Sequence, residues 1–207
     1  EAVRRRFGED RPDYCINCAA FTDVDGAEKE PEKAMAVNAR GVANVAGVCA
    51  DQQTVLIHIS TDYVFDGTKK AGYTTTDPPN PINAYGTSKL EGERIIQNQL
   101  ERFFIIRTSW LYSPKYGANF YRTIVEKAKK GMPLQVTTAQ VGCPTRAGNL
   151  ARYILGLIEN NNQDYGLHHF TDGEAMTWYA FAKRILKDEG LEGHAQLRKV
   201  RNYRTFA

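Results

Sequence analysis

The chain has 207 residues, a net charge of +3, 42% hydrophobic residues and 25% charged residues. This is the composition of a globular protein with one good core, and the small net charge argues against a nucleic-acid partner. No apolar run approaches the roughly 20 residues of a membrane helix, and no signal peptide opens the sequence. We therefore expect a cytoplasmic protein with no membrane partner.

The first predicted elements are a helix end and a strand. Residues 1–7 resemble the second half of a helix, with Gly8 as its C-terminal stop. Residues 14–20 are predicted to form a buried strand that contains Cys15 and Cys18. Because residues three apart on a strand point to opposite faces, we expect buried free thiols here and no metal site.

A helix is predicted over residues 32–51, where Pro31 suits the first turn and apolar residues form a stripe. Asn38 interrupts that stripe. It is interpreted as bonding nearby backbone, and the alternative is that it holds the active-site strand. The strand at 54–59 follows, in which His58 is interpreted as a core histidine with satisfied hydrogen bonds.

The remaining chain alternates strands with helices, which indicates an α/β protein with a parallel sheet. The loop 66–81 is rich in Gly, Thr and Pro and is predicted to line a substrate cleft. The basic cluster at 198–204 is interpreted as a solvated or frayed end. Further elements are predicted at 103–108 (strand), 120–130 (helix), 134–136 (strand), 140–145 (loop), 147–159 (helix), 166–170 (strand) and 177–188 (helix).

One pair of residues suggests acid–base catalysis. Tyr85 and Lys89 lie four positions apart at the start of a predicted helix, so their side chains share a face. A phenol with a pKa of about 10 is a poor acid or base at neutral pH, and a neighbouring cation is expected to lower that pKa. Such pairs are common on helix surfaces, but here a buried strand that ends in Ser60 and Thr61 precedes the helix.

Four motifs extend this pattern through nearly the whole chain. They are Ser60-Thr61-Asp62-Tyr63-Val64-Phe65-Asp66-Gly67, Tyr85-Gly86-Thr87-Ser88-Lys89-Leu90-Glu91-Gly92-Glu93, Arg107-Thr108-Ser109-Trp110-Leu111-Tyr112 and Gln140-Val141-Gly142-Cys143-Pro144-Thr145. In order and spacing they resemble the extended short-chain dehydrogenase/reductase superfamily and, within it, the dTDP-4-dehydrorhamnose reductase family.

The resemblance implies a Rossmann-like, doubly wound parallel sheet with a small C-terminal lobe. Residues 1–135 would form part of an NAD(P)-binding domain, and residues 136–207 mostly a substrate-binding lobe interleaved with the sheet. No Gly-x-Gly-x-x-Gly loop occurs in the sequence. We therefore expect a fragment, truncated before the first strand by roughly two strands, that binds the dinucleotide poorly and is inactive alone.

The resemblance also implies a reaction. The intact enzyme would reduce the 4-keto group of a dTDP-activated 6-deoxyhexose with NADPH or NADH, giving dTDP-L-rhamnose for cell-surface polysaccharide. Tyr85 would donate the proton, Lys89 would lower its pKa and bond the nicotinamide ribose, and Thr61 would polarise the ketone.

Further residues are assigned to binding by the same resemblance. Asp62 and Trp110, with Thr61, would orient the sugar. The alternative that Trp110 only fills space in the core stays open. Small residues after the first strand would let the cofactor approach, at Ala19, Ala20 and Phe21, alongside Tyr85 and Lys89. A homodimer is compatible with the resemblance.

Two alternative functions remain open at this point. Another extended reductase, such as a nucleotide-sugar epimerase or dehydratase, also carries the Tyr/Lys pair, although the motifs around Trp110 and residues 140–145 favour the reductase. A non-catalytic regulatory subunit, like that of methionine adenosyltransferase, resembles the family closely as well.

Overall fold

The computed structural model describes residues 1–201. The chain divides into two compact units that alternate along the sequence. Within the described residues, the first unit comprises Glu1–Thr108 and Gly156–Phe170, and the second comprises Ser109–Leu155 and residues 171–201. The predicted functional boundary at residue 135 stays a prediction.

Strands and helices follow one another along the described residues. The strands are β1 (Tyr14–Asn17), β2 (Val55–Thr61), β3 (Phe103–Thr108), β4 (Leu111–Tyr112), β5 (Leu134–Thr137), β6 (Val141–Gly142), β7 (Thr145–Arg146), β8 (Gly166–His169), β9 (Met176–Thr177) and β10 (Leu197–Val200). The helices are α1 (Ala2–Asp10), α2 (Val24–Lys29), α3 (Pro31–Met35), α4 (Val42–Gln52), α5 (Ala84–Gln99), α6 (Phe120–Lys129), α7 (Ala147–Glu159) and α8 (Trp178–Asp188).

A four-stranded parallel sheet, in the order β1-β2-β3-β8, forms the centre of the first unit. The registers place Asn17 beside His58 and Thr61 beside Thr108, so three strands end at one edge. Every residue of β3 is buried, as expected for a continuous apolar strand covered on both faces. The predicted α/β class with a parallel sheet is confirmed.

The core of the first unit joins this sheet to α4 and α5. Its buried members are Val42, Ala46, Cys49, Leu56, Ile96, Phe103 and Ile105. A π-helical segment, Ala36–Gly41, lies between α3 and α4 and contains the buried Asn38. A Cβ at Gly92 of α5 would overlap the carbonyl oxygen of Asn38, so glycine permits the close contact of these helices.

The second unit combines helices with three two-stranded sheets, β5–β10, β4–β7 and β6–β9. Its core is formed mainly by α6, α8 and β5. The buried members are Ile124, Ala128, Leu134, Val136, Phe181, Ala182, Ile185, Leu186 and Leu191.

The structure corrects two predictions near the first strand. Helix α1 continues through Gly8 and ends only at Arg11, whose left-handed backbone (φ 44°) closes the helix. Strand β1 ends at Asn17, so Cys18 lies beyond it and is exposed rather than buried. Cys15 is half-buried.

Two predictions in the second unit are also corrected. The loop expected at 140–145 contains β6 and the start of β7. Residues 198–200 of the basic cluster are not a frayed end, because they belong to β10, which pairs in parallel with β5. Residues 202–204 of that cluster lie outside the described residues.

Candidate active site

The carboxyl end of β2 presents two of the predicted site residues. Thr61 ends the strand, and its Oγ1 accepts a hydrogen bond from the Tyr63 amide (3.2 Å), which caps a short 3₁₀ turn over Asp62–Val64. The Thr61 hydroxyl lies 3.1 Å from Asp62 Oδ1 and donates to it. The local backbone therefore fixes both side chains.

The beginning of α5 is held against this turn. Asn83 caps the helix, with its Oδ1 accepting from the Gly86 amide (2.7 Å), and Glu28 Oε1 accepts from the Ala84 amide (2.6 Å). A Cβ on Gly86 would overlap the carbonyl oxygen of Tyr63. Glycine at this position thus lets the helix approach closely enough to bring Tyr85 to Thr61.

The phenol of Tyr85 is hydrogen-bonded to the Thr61 side chain. Tyr85 is 9% exposed, and its ring meets the edge of Tyr63 with centroids 5.5 Å apart. Burial raises the pKa of Tyr85 to about 12; the Thr61 bond lowers it and the Asp62 charge raises it further. The expected lowering of this pKa by Lys89 is wrong for this structure, and the phenol stays protonated at neutral pH.

Lys89 is 1% exposed and bonds to β2. Its Nζ donates to the Ile59 carbonyl (2.7 Å) and lies 3.1 Å from Nε2 of His58. Burial lowers the pKa of Lys89 to about 8, and the carboxylate of Glu93 opposes that lowering. Nζ of Lys89 is thus bound to the strand, and burial decides the direction of the Tyr85 pKa shift.

Asp62 is a second perturbed acid beside Tyr85. Burial raises its pKa to about 6, while hydrogen bonds from Thr61 and from backbone amides oppose that rise. The pKa values of these two adjacent acids lie on either side of neutrality, and the Asp62 charge helps to keep the Tyr85 phenol protonated.

The predicted cofactor residues follow β1. The side-chain amide of Asn38 accepts from the Phe21 amide (2.8 Å) and donates to the Phe21 carbonyl (3.0 Å) and to Ser88 Oγ (2.9 Å). Asn38 therefore bonds nearby backbone, as predicted, and also ties this segment to α5. Ala19 and Ala20 are at least partly accessible, with little side chain to obstruct a ligand.

Trp110 lies in the second unit, where it packs against a second indole. Its ring stacks on Trp178 with centroids 3.5 Å apart and planes 8° apart. Its backbone is left-handed (φ 47°), and a Cβ at Gly142 would overlap the indole. Its predicted role in orienting the sugar stays a prediction.

Sequence reasoning missed a buried ion pair beneath the site. Glu93 on α5 accepts from Arg107 Nε (3.0 Å) and Nη2 (2.6 Å), and Ser60 Oγ also donates to it. The signal was an arginine at the end of an otherwise apolar strand, because arginine is rarely buried unless it is paired.

The link between His58 and Lys89 was also missed. His58 is fully buried with both ring nitrogens in hydrogen-bond contact, which confirms a satisfied core histidine. One of its partners is the site lysine. A lone histidine inside an apolar strand, with an asparagine ending the neighbouring strand, was the available signal.

Neither a metal centre nor a membrane span is present in the described part of the chain. Within residues 1–201, no group of three His, Cys, Asp or Glu side chains could hold a metal ion. Over the same residues, no helix is both long and apolar enough to span a membrane.

A parallel sheet that delivers a threonine hydroxyl to a Tyr-x-x-x-Lys helix defines a site of the short-chain dehydrogenase/reductase class. Residues 1–205 match the family model described as "RmlD substrate binding domain". The chain belongs to that family.

Individual relatives agree with this membership. The dTDP-4-dehydrorhamnose reductase of Aggregatibacter actinomycetemcomitans is 39% identical over 182 residues, which cover 86% of this chain and 62% of that protein. The crystal structure of dTDP-4-dehydrorhamnose reductase from Bacillus anthracis in complex with NADP matches with a TM-score of 0.91 and 38% identity, covering 97% of this chain and 70% of that one.

A second solved structure, a dTDP-4-dehydrorhamnose reductase ortholog from Clostridium acetobutylicum, gives a TM-score of 0.90 at 38% identity, covering 97% of this chain and 70% of that one. The predicted Rossmann-like reductase fold is therefore confirmed. The chain spans about 62% of the length of the Aggregatibacter relative.

Proposed function

We propose that the protein containing this chain reduces the 4-keto group of dTDP-4-dehydro-6-deoxy-L-hexose to give dTDP-L-rhamnose, with NADPH or NADH as reductant. The observation that carries the proposal is the hydrogen bond between the protonated phenol of Tyr85 and Thr61 at the end of β2. The names of the similar proteins supply the substrate.

The residues present fit a nicotinamide dinucleotide. The carboxyl ends of adjacent parallel strands are where open α/β sheets bind such ligands, and here β1 ends beside His58, three residues before the end of β2. Ala19, Ala20 and Phe21 would hold the cofactor, since two small side chains leave the backbone accessible. When bound, the cofactor supplies the hydride that reduces the ketone.

Tyr85 provides the proton. An alkoxide is a far stronger base than a phenolate, so even a phenol with a pKa of about 12 gives its proton to the developing alkoxide favourably. Thr61 would bond the ketone oxygen beside Tyr85, which polarises the carbonyl and fixes its orientation. Lys89 would bond the nicotinamide ribose.

The proposal also covers the orientation of the sugar and the cellular compartment of the protein. Asp62 and Trp110 would orient the sugar. A cytoplasmic location is supported by the free thiols Cys15, Cys18, Cys49 and Cys143, which suit a reducing compartment. We also propose that the protein forms a homodimer.

The test is turnover of the dTDP-4-keto sugar, followed by loss of NADPH absorbance, in protein that contains this chain. Replacing Tyr85 by Phe should lower kcat by about 10²–10⁴-fold, because general acid catalysis contributes that much. The matched control is Tyr116→Phe, which removes a phenol that is 76% exposed and should leave kcat unchanged.

A Tyr85→Phe variant with normal kcat would refute the proposal. Epimerisation or dehydration of a nucleotide sugar without net NADPH oxidation would favour the first alternative. Absence of turnover together with capture of a methionine adenosyltransferase catalytic subunit would favour the regulatory role.

A further inference from the structure

A continuous run of hydrogen bonds leads from the backbone after β1 to the site lysine. The Ala19 amide donates to Asn17 Oδ1 (3.1 Å), and Asn17 Nδ2 lies 3.1 Å from His58 Nδ1. His58 Nε2 lies 3.1 Å from Lys89 Nζ, which donates to the Ile59 carbonyl (2.7 Å). His58, Asn17 and Lys89 are all buried, so these groups have little access to water.

The backbone amide of Ala19 determines which atom donates and which accepts in each of these hydrogen bonds. A backbone amide can only donate, so the Asn17 atom facing Ala19 is its carbonyl oxygen. The Asn17 NH₂ group then faces His58 Nδ1, which must accept. A neutral imidazole that accepts at Nδ1 carries its proton on Nε2, so the atom facing Lys89 is a donor.

Only an uncharged amine can accept from that donor. An ammonium has three N–H groups and no lone pair, so it would set two donors against each other at 3.1 Å inside the protein. The charged lysine requires the opposite polarity, with the His58 proton on Nδ1 and the Asn17 amide turned over. That turn removes the acceptor from the Ala19 amide.

We propose that Asn17 and His58 are positioning residues that set the charge of Lys89: with the Ala19 amide bound to Asn17, His58 holds its proton on Nε2 and favours the uncharged amine. A ligand oxygen that takes over the Ala19 amide releases Asn17 to turn, and His58 can then accept from the lysine ammonium. The charge of the lysine is thereby coupled to occupation of the segment after β1.

Other charges around Lys89 act in addition to this run. The Glu93 carboxylate on α5 favours the ammonium, while burial opposes it. Glu93 is itself paired with Arg107, which restricts its influence. The imidazole of His58 stays neutral because burial and the neighbouring Lys89 charge both lower its pKa.

The tautomer of His58 is directly measurable. Long-range ¹H–¹⁵N spectra of this chain without ligand, with ¹⁵N-labelled histidine, should show the His58 proton on Nε2 at about pH 9, above the pKa of Lys89. A proton on Nδ1, or on both nitrogens, would overturn the proposal. The measurement requires no turnover, so its outcome is separate from that of the reductase assay.

The variant Asn17→Asp tests whether Asn17 determines the position of the His58 proton. A carboxylate still accepts from the Ala19 amide but cannot donate to His58, so the His58 proton should move to Nδ1. Nε2 should then accept from the lysine, and the Lys89 titration should shift upward by about one pH unit or more.

The matched control is Cys18→Asp. It also places a carboxylate near Lys89 and should shift the lysine titration upward, but it should leave the His58 proton on Nε2. If both variants gave the same tautomer, a simple charge effect would account for the lysine and the proposed polarity would be wrong.

The coupling to ligand rests on the proposed function and has its own readout. Addition of NADP⁺ to protein containing this chain should move the His58 proton from Nε2 to Nδ1. Bound NADP⁺ with an unchanged tautomer would refute the coupling. Loss of turnover in Tyr85→Phe, by contrast, tests only the reductase proposal.

Discussion

The buried ion pair beneath the site should dominate the stability of the first unit. Glu93→Gln removes the counter-charge of Arg107, and the two side chains are only 1% and 4% exposed. Removing one partner of a buried pair typically costs about 3–5 kcal/mol, because the other charge is left without compensation. We expect Glu93→Gln to destabilise the protein by about 3 kcal/mol, since glutamine keeps one acceptor.

The surroundings of Arg107 explain why little of this loss can be recovered. Its Nη1 already has no hydrogen-bond partner, so no spare acceptor lies nearby. The face of Phe65, 4.9 Å from the guanidinium carbon, is its other favourable contact and is too weak to replace a carboxylate. Against a typical total of about 5–15 kcal/mol, such a loss is large.

Urea denaturation of the two proteins measures the difference, provided that both unfold in one transition. The control is Glu91→Gln on the same helix, whose pair with Arg94 is exposed and should contribute about 0.3–0.5 kcal/mol. Equal losses for the two variants would show that Glu93 and Arg107 are solvated, and the reasoning from burial would fail.

Two further outcomes follow from the site geometry. Gly86→Ala should destabilise the protein by about 1–3 kcal/mol and lower turnover, because its Cβ would displace α5 from the 3₁₀ turn. In the same denaturation assay, the control Gly47→Ala, in an open part of α4, should be neutral or stabilising. Burial raises the pKa of Asp62 to about 6 from about 4 in the unfolded chain, so folding binds a proton between these values and stability falls as pH rises through that window. Asp62→Asn should therefore become more stable than the unsubstituted chain above about pH 6, by up to about 3 kcal/mol, and a pH-independent difference would contradict this.

Long periodic segments were predictable from the sequence because local pattern and packing agree there. The bounds of β3 and α7 were predicted as the structure has them. The Tyr85–Thr61 contact was predictable in outline, since a strand end and a helix start were separated by one loop. The short strands of the second unit were not, because two-residue pairings leave no period to detect.

The protonation properties of the site were not predictable because they depend on burial and on partners distant in sequence. Helical spacing placed Lys89 on the face of Tyr85, but it could not show that Nζ would bond Ile59 of β2. The pKa of Tyr85 therefore rises where the pair alone suggested a fall. Sequence spacing predicts proximity, whereas the dielectric surroundings decide the sign of the shift.

Two buried residues of α5 connect the stability of the protein with the protonation of the site. Glu93 and Lys89 are four residues apart on α5, and the carboxylate that neutralises Arg107 also favours the charged form of the lysine. Burial lowers the pKa of Lys89 to about 8, and the Glu93 carboxylate opposes that lowering. In the polarity that we propose, the His58 contact favours the uncharged amine. A lysine with a pKa this close to neutrality can change charge when one such hydrogen bond is displaced.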